Sequence, residues 1–273
     1  MNNSDIKKLA SESGFKAAYF LPPPDYETHS DEPHIIWNAA EYPWADATLL
    51  LIWAYSPYPP DVRIPSYYIN SNASYHASVA LARRLEAEGV KLLRCEVPIK
   101  RMAVRYGIAS PCRNSLVAVP GFGTRVVFQS MFLGSSENHS FAAESYNIED
   151  CSENLRLSCN SCRACINACP AHAISENGLD VKKCMRFYMD GADYPDWVYD
   201  IQRTHMGCEV CQQVCPRNAG VKAVMPPEDV VKAFDLETLS KGITKPARLL
   251  VGKNFTGNGK LQKEAEHFLK RDG

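Results

Sequence analysis

No stretch of this sequence is apolar for long enough to cross a bilayer. The longest run, Ala47–Tyr55, is about half of the roughly 20 residues that a membrane span requires. Neither sign of charge is in excess: 30 Lys and Arg stand against 31 Asp and Glu, for a formal net charge of −1. That balance argues against a chain that lives on nucleic acid, because such affinity comes mainly from Lys and Arg neutralising phosphates. No G-x-G-x-x-G follows a strand-like run and no P-loop is present, so neither a Rossmann dinucleotide site nor a nucleoside-triphosphate site is supported. The first residues, MNNSDIKKLA, lack the apolar core of a secretory signal. A cytoplasmic chain without a membrane partner is the expectation.

What remains is a globular composition with one anomaly. The 273 residues are 45% hydrophobic and 22% charged, room for one large domain and a small one. The anomaly is cysteine: of 11 in all, eight (Cys159, Cys162, Cys165, Cys169, Cys184, Cys208, Cys211 and Cys215) fall between positions 159 and 215. Disulfides are disfavoured in a reducing compartment, so thiols clustered in this way are expected to hold metal.

The front of the chain predicts an α/β arrangement. Asn3 or Ser4 can cap a helix with Ile6, Leu9 and Ala10 on one face, stopped at Gly14. Strands are expected at Lys16–Leu21 and Ala47–Tyr55, the second apolar at nearly every residue as a central strand would be. Pro22–Pro24 and Pro57–Pro60 read as loops. A helix over Ala73–Glu88 should place Tyr75, Val79, Ala82 and Leu85 on one buried stripe. A strand over Val90–Glu96 and a short helix opened by Pro98 follow, and then Ser115–Val119 and Thr124–Leu133 flank the turn Pro120–Gly123 as a hairpin. The expected class is α+β: an α/β cofactor domain over 1–150 with a partly antiparallel sheet, an iron–sulfur domain over 151–220, and a polar tail over 221–273 lying on the surface.

Cys159-x2-Cys162-x2-Cys165-x3-Cys169-Pro170 is the run of bacterial ferredoxins, in which the fourth cysteine serves the other cluster. The second half consists of Cys184 and then Cys208-x2-Cys211-x3-Cys215-Pro216, with the distant Cys184 standing in for a third close cysteine. Crossing the fourth ligands assigns Cys159, Cys162, Cys165 and Cys215 to one [4Fe-4S] cluster and Cys169, Cys184, Cys208 and Cys211 to another. Zinc is the competing occupant of C-x2-C pairs, but the duplicated x2-x3-Cys-Pro spacing is that of ferredoxins rather than zinc ribbons. Cys95, Cys112 and Cys151 have no such partners and read as small packing residues.

The stretches CNSCRACINACPAHAI, Lys183-Cys184 and GCEVCQQVCPRN, with SYH at 74–76, YGIASPCRN at 106–114 and PGFGTRVVF at 120–128, resemble epoxyqueuosine reductase, a corrinoid iron–sulfur enzyme, and more distantly reductive dehalogenases. The resemblance implies a cobalamin-binding domain of nitroreductase-like fold followed by the two-cluster ferredoxin-like domain. Carried over by motif, corrinoid contacts fall on Gly123, Thr124, Arg125, Arg186, Cys208 and Glu209. Three departures stand out. The family's catalytic aspartate is matched by Cys95, the family's C-terminal helical-repeat region is reduced to GKLQKEA at 259–265, and arginines ahead of the family's Tyr-His pair become Ser71 and Ala73. Candidate proton donors are therefore Glu96, Tyr75 and His76, residue types that serve as general acids when within reach.

The resulting expectation is a cobalamin-dependent reductase. An external ferredoxin or flavodoxin would supply electrons, and a small-molecule or modified-nucleoside substrate would be reduced. The net charge and shortened tail count against tRNA as a partner. The alternative is a non-catalytic electron-transfer or corrinoid-reducing partner protein.

Overall fold

The computed structural model describes residues 1–24, 41–95, 97–146, 159, 161–189, 194–256 and 259–272. Glu96 and Cys151 lie outside the described residues. The chain forms two compact units that interleave along the sequence. The first comprises Met1–Ala54, Ser74–Pro111 and Val126–Leu157; the second comprises Tyr55–Ala73, Cys112–Arg125 and Ser158–Gly273. The division expected from composition was consecutive, with breaks near 150 and 220. Composition cannot reveal that 55–73 and 112–125 leave the front of the chain to join the cysteine-bearing unit.

In the first unit, α1 (Asn3–Glu12) is capped one residue earlier than expected. The Asn2 side chain accepts from the Ser4 and Asp5 N–H groups, and Asp5 returns a bond to the Asn2 N–H, a complete capping box. Ile6, Leu9 and Ala10 are buried as the periodicity predicts. Gly14 ends the turn at φ +95, where an added Cβ would lie 2.9 Å from the Trp53 ring. Four strands, β1 (Ala17–Leu21), β2 (Ala47–Ala54), β3 (Lys91–Arg94) and β4 (Val126–Gly134), form one sheet in the order β1-β2-β4-β3. β2 lies inside the sheet, and Leu49, Leu50, Leu51 and Ile52 are fully buried.

Every pairing in this sheet is antiparallel, where a partly antiparallel one was expected. β2 and β3 run the same way, as strands joined through a helix should, but β4 inserts between them and opposes both. The expected hairpin is only half formed for the same reason. Val119 and Gly123 exchange backbone bonds of 2.8 and 2.9 Å and close the turn, yet beyond it β4 pairs with β2 and β3, and the preceding arm is extended only at Val117–Ala118.

Helix α2 (Ser66–Ala87) begins a full two turns before the expected start, directly after Pro65. Its buried face in the first unit is Ser74, Ser78, Leu81, Ala82 and Leu85, and Tyr75, expected in the stripe, is 46% exposed. The face is rotated because it is partly polar: Gln129 donates to Ser74 Oγ at 3.1 Å, and Ser78 Oγ donates to the Tyr75 carbonyl. Hydrophobic periodicity does not register buried serines. Helix α3 (Ile99–Arg105) follows Pro98 as predicted.

The second unit is built of short elements. Its tail was expected on the surface but supplies much of a core. Val230, Phe234, Leu239, Val251, Leu261 and Ala265 are buried with Ile64, Tyr68 and Met206. Part of the tail's polarity is buried with it, at Lys260 and Glu264. The final helix, Lys260–Asp272, carries Glu264 into this interior at 0% exposure. There it accepts from Tyr194 Oη (2.8 Å), Gln202 Nε2 (2.8 Å) and the Met206 N–H (3.1 Å), and it meets His205 Nδ1 at 3.0 Å. A buried carboxylate survives only with partners of this number. Among the described residues no helix is long and apolar enough to cross a membrane.

Removing the carboxylate strands several buried donors at once. Glu264→Ala is expected to cost about 3–5 kcal/mol, and Glu264→Gln, which keeps one acceptor, less than half of that. Urea unfolding midpoints of the two variants beside the parent check both the size and the order.

Candidate iron–sulfur site

The duplicated cysteine pattern is visible in the backbone as well as in the spacing. Cys162 and Cys165 bracket the start of a one-turn helix, α4 (Ala164–Ala168), whose N-cap Arg163 has φ −113 and ψ 8. Cys208 and Cys211 bracket the start of its counterpart, Val210–Gln213, whose N-cap Glu209 has φ −109 and ψ 10. Each helix is followed by an extended cysteine ahead of a proline: Cys169 at φ −66, ψ 112 and Cys215 at φ −74, ψ 121. That extended geometry is the one a following proline imposes, and it throws the fourth thiol of each run away from the first three.

The thiols lie close to one another. Burial raises the Cys165 thiol, and the charges of Cys215, Cys159 and Cys162 raise it further. Burial likewise pushes Cys208 up to about 11, with Cys184 and Cys169 adding to it, and Cys211 up to about 12, with Cys208 and Cys184 among its neighbours. Cys165 of the first expected set is also among the neighbours of Cys211 of the second, so all of these thiols crowd one another. Among the described residues no three His, Cys, Asp or Glu side chains converge on a point in the way a single ion requires. A tetrahedral zinc site would need four thiolates at about 2.3 Å from one ion. Eight cysteines in a duplicated ferredoxin run are the ligand complement of two [4Fe-4S] clusters.

Donors to sulfur are built into the same unit. The Ala173 N–H donates to Cys169 Sγ at 3.3 Å. Burial alone would raise the Cys159 thiol, but the Arg113 N–H and the Arg217 guanidinium reverse this and hold it below its ordinary range. The segment 112–114 serves both expected sets. Cys112 adjoins Cys159 and Cys215, Arg113 Nη1 donates to the Cys162 carbonyl at 2.7 Å, and the Asn114 side chain bonds Cys211. Cys112 was read as a packing residue, and Arg113, Asn114 and Arg217 were not singled out. Only the short distance in sequence between Arg217 and Cys215 could have drawn attention to one of them.

The residues matched to corrinoid contacts are largely occupied within the unit. An added Cβ on Gly123 would lie 2.1 Å from Asn218 Oδ1 and 2.6 Å from the Arg217 carbonyl, so this glycine at φ +60 lets the turn press against the Cys215–Asn218 segment. The Thr124 N–H donates to Asn218 Oδ1 at 2.7 Å, and Thr124 Oγ1 lies 3.1 Å from Gln212 Oε1. Arg125, 1% exposed, pairs with Glu209, which also accepts from Ser66 Oγ at 3.0 Å and the Tyr67 N–H at 3.2 Å. Arg186 lies over the Tyr68 ring, 5.2 Å from its centroid. In the first unit, Tyr75 and His76 are both exposed, edge to face at 5.4 Å, with the Arg94 guanidinium 4.5 Å from the Tyr75 centroid. Cys95 is half-buried against Ser130, and burial pushes its thiol up to about 12.

The two glycines of the turn separate packing from backbone strain. Gly121 is at φ +79 with nothing within 4 Å of an added Cβ, so Gly121→Ala should cost only the left-handed penalty of about 1–2 kcal/mol. Gly123→Ala adds a clash of about 1–3 kcal/mol and should displace Cys215. Unfolding midpoints and iron content on reconstitution check the pair, with iron lost in the second variant alone.

Residues 158–218 match a family profile described as a 4Fe-4S double cluster binding domain. Among curated proteins, the epoxyqueuosine reductase of Staphylococcus aureus is 33% identical over 125 residues, 45% of this chain and 30% of that protein. The epoxyqueuosine reductase of Bacillus anthracis is 29% identical over 180 residues, 62% of this chain and 44% of that protein. The chain therefore matches less than half the length of these relatives. Among solved structures, epoxyqueuosine reductase from Bacillus subtilis superposes with a TM-score of 0.70 at 20% identity, covering 97% of this chain and 80% of the other. A catabolic reductive dehalogenase superposes at 0.52 with 18% identity, covering 95% and 37%. This chain is an α+β protein with the fold of epoxyqueuosine reductase, resembles that enzyme in sequence, and carries a domain that binds two [4Fe-4S] clusters.

Proposed function

We propose that this chain is a cytoplasmic iron–sulfur reductase in which two [4Fe-4S] clusters deliver electrons singly to a bound corrinoid, for the reduction of a small molecule or modified nucleoside. The observation that carries the reading is the match of residues 158–218, which contain the eight cysteines of the duplicated run, to a 4Fe-4S double cluster binding domain. A structure of a relative is described as an epoxyqueuosine reductase with a modified tRNA stem loop, and another neighbour as B12-dependent in dehalogenation. Those likenesses support the corrinoid and the nucleoside class for this chain. When bound, the clusters supply one-electron relay and the corrinoid a strongly reducing metal centre.

The chain's own residues do the positioning. Asn218 and Gln212 fasten the 120–125 turn to the second cysteine run through Thr124. Arg125 and Glu209 cancel each other's charge beside Cys208, which keeps that surrounding dry without an unpaired ion. Thr124, Arg125 and Glu209 bond partners within the unit, so the corrinoid contacts matched by resemblance at Gly123, Thr124, Arg125, Arg186, Cys208 and Glu209 would be made in part through the main chain. Of the candidate proton donors, Tyr75 and His76 are exposed and adjacent and can reach a substrate from the surface of the first unit.

Cys95 favours a second reading. A thiol held neutral by burial stands where the family's aspartate would be, which fits a chain that passes electrons to another protein's cofactor.

Two measurements test the readings. Anaerobic reconstitution should give about eight iron and eight sulfide per chain, and Cys162→Ser or Cys211→Ser should each remove about one cube. A colourless zinc protein would sink both readings. Hydroxocobalamin added to the reconstituted protein should remain after desalting, seen by its corrin absorbance. Its complete loss would leave the electron-transfer reading in place of the reductase.

A further inference from the structure

The two sets of ligand thiols have unlike electrostatic surroundings. Around Cys159, Cys162, Cys165 and Cys215, the donors include two guanidinium groups. Arg217 bonds Cys159 through its side chain and Cys215 through its N–H, and its Nη1 lies 3.5 Å from Cys112 Sγ. Arg113 reaches the Cys162 carbonyl at 2.7 Å and gives its own N–H to Cys159. Its Nη2 is 3.1 Å from Glu176 Oε2, but that carboxylate is 48% exposed and also faces Arg163, so water screens it.

Among the described residues, the groups that bond Cys169, Cys208 and Cys211 are neutral: the Ala173 N–H, the Val210 N–H and the Asn114 side chain; Arg186, two residues after Cys184, lies over the Tyr68 ring, 5.2 Å from its centroid. Arg125 is consumed by Glu209, and Lys183 faces Asp180 at 3.7 Å on the surface. Reduction of a cube adds one electron, taken from an external one-electron reductant, and no bond or proton changes. The cube and its thiolates gain one negative charge; N–H···S bonds at both sites stabilise it, and fixed positive charge beside the first stabilises it further.

We propose that Arg217, seconded by Arg113, holds the cluster on Cys159, Cys162, Cys165 and Cys215 at the higher reduction potential, so that it takes the first electron and its companion the second. This rests on the two-cluster reading above and extends it to unequal clusters with a named cause. Arg217 acts here as a positioning and tuning residue through the thiolates.

The test is a dithionite titration of the reconstituted protein, followed by EPR, with iron and sulfide counted on each sample. The parent should show two midpoints, and Cys162→Ser should remove the more positive one. In Arg217→Gln the more positive midpoint should fall by about tenfold in the reduced-to-oxidised ratio at fixed potential, 59 mV for one electron, with the other unmoved. Arg217→Lys, which keeps the charge, should recover most of the shift. Arg113→Gln should shift the same midpoint in the same direction, and it decides the matter should Arg217→Gln fail to assemble. The proposal is overturned if Cys162→Ser removes the more negative midpoint, or if the arginine variants with full iron leave the more positive one where it was. A parent lacking about eight iron would instead overturn the two-cluster reading.

Discussion

Thiolates gathered in fours repel one another, and the second unit is organised around offsetting that repulsion. Burial, with neighbouring thiols adding to it, drives Cys208 up to about 11 and Cys211 up to about 12. Iron supplies the compensating positive charge, but only if four sulfurs are held where a cube can take all of them. The protein meets that requirement with short, locally determined pieces: two one-turn helices with matching N-cap dihedrals, two extended Cys-Pro steps, and N–H groups aimed at sulfur. None of these pieces buries enough apolar area to be stable alone, so their order depends on what surrounds them.

What surrounds them explains the interleaving of the chain. Residues 112–125 are borrowed from between strands of the first unit's sequence and laid against the cysteine runs, where Arg113, Asn114, Thr124 and Arg125 each take a partner. Residues 55–73 bring Ser66 and Tyr67 to Glu209. The tail closes the unit from the other direction. Glu264 gathers Tyr194, Gln202, His205 and Met206, which come from the stretch between Cys184 and Cys208. Long connections between the two cysteine runs are thereby pinned by one buried carboxylate rather than left as loops.

The parts legible in the sequence are those set by local pattern. Cysteine spacing announced the double-cluster domain, because the x2-x2-x3-Cys-Pro run is a local pattern. The apolar run at Ala47 announced an inner strand. The residues that escaped notice act over long separations and carry ordinary side chains. Asn218 reaches Thr124 across 94 positions, and Arg113 reaches Cys162 across 49. The face of α2 was misplaced for a related reason, since buried Ser74 and Ser78 turn toward Gln129 and leave Tyr75 outside. Long-range polar pairing leaves no periodic trace, so hydrophobic pattern cannot find it.

Gly123, matched by resemblance to a corrinoid contact, has a packing role of its own within the second unit. The resemblance marks it as a position where backbone must come close to something, and the close partner within the second unit is Asn218 and the Arg217 carbonyl. The glycine thus couples the turn to the residue immediately after Arg217, and so to the arginine that faces Cys159. A turn held in this way fixes the position of the guanidinium relative to the thiolates, because Arg217 lies between two anchored neighbours, Cys215 on its iron side and Asn218 on the Thr124 side. Gly123 and Asn218 thereby hold the backbone on which Arg217 sits, through a close approach that only a glycine admits and through the Thr124 hydrogen bonds.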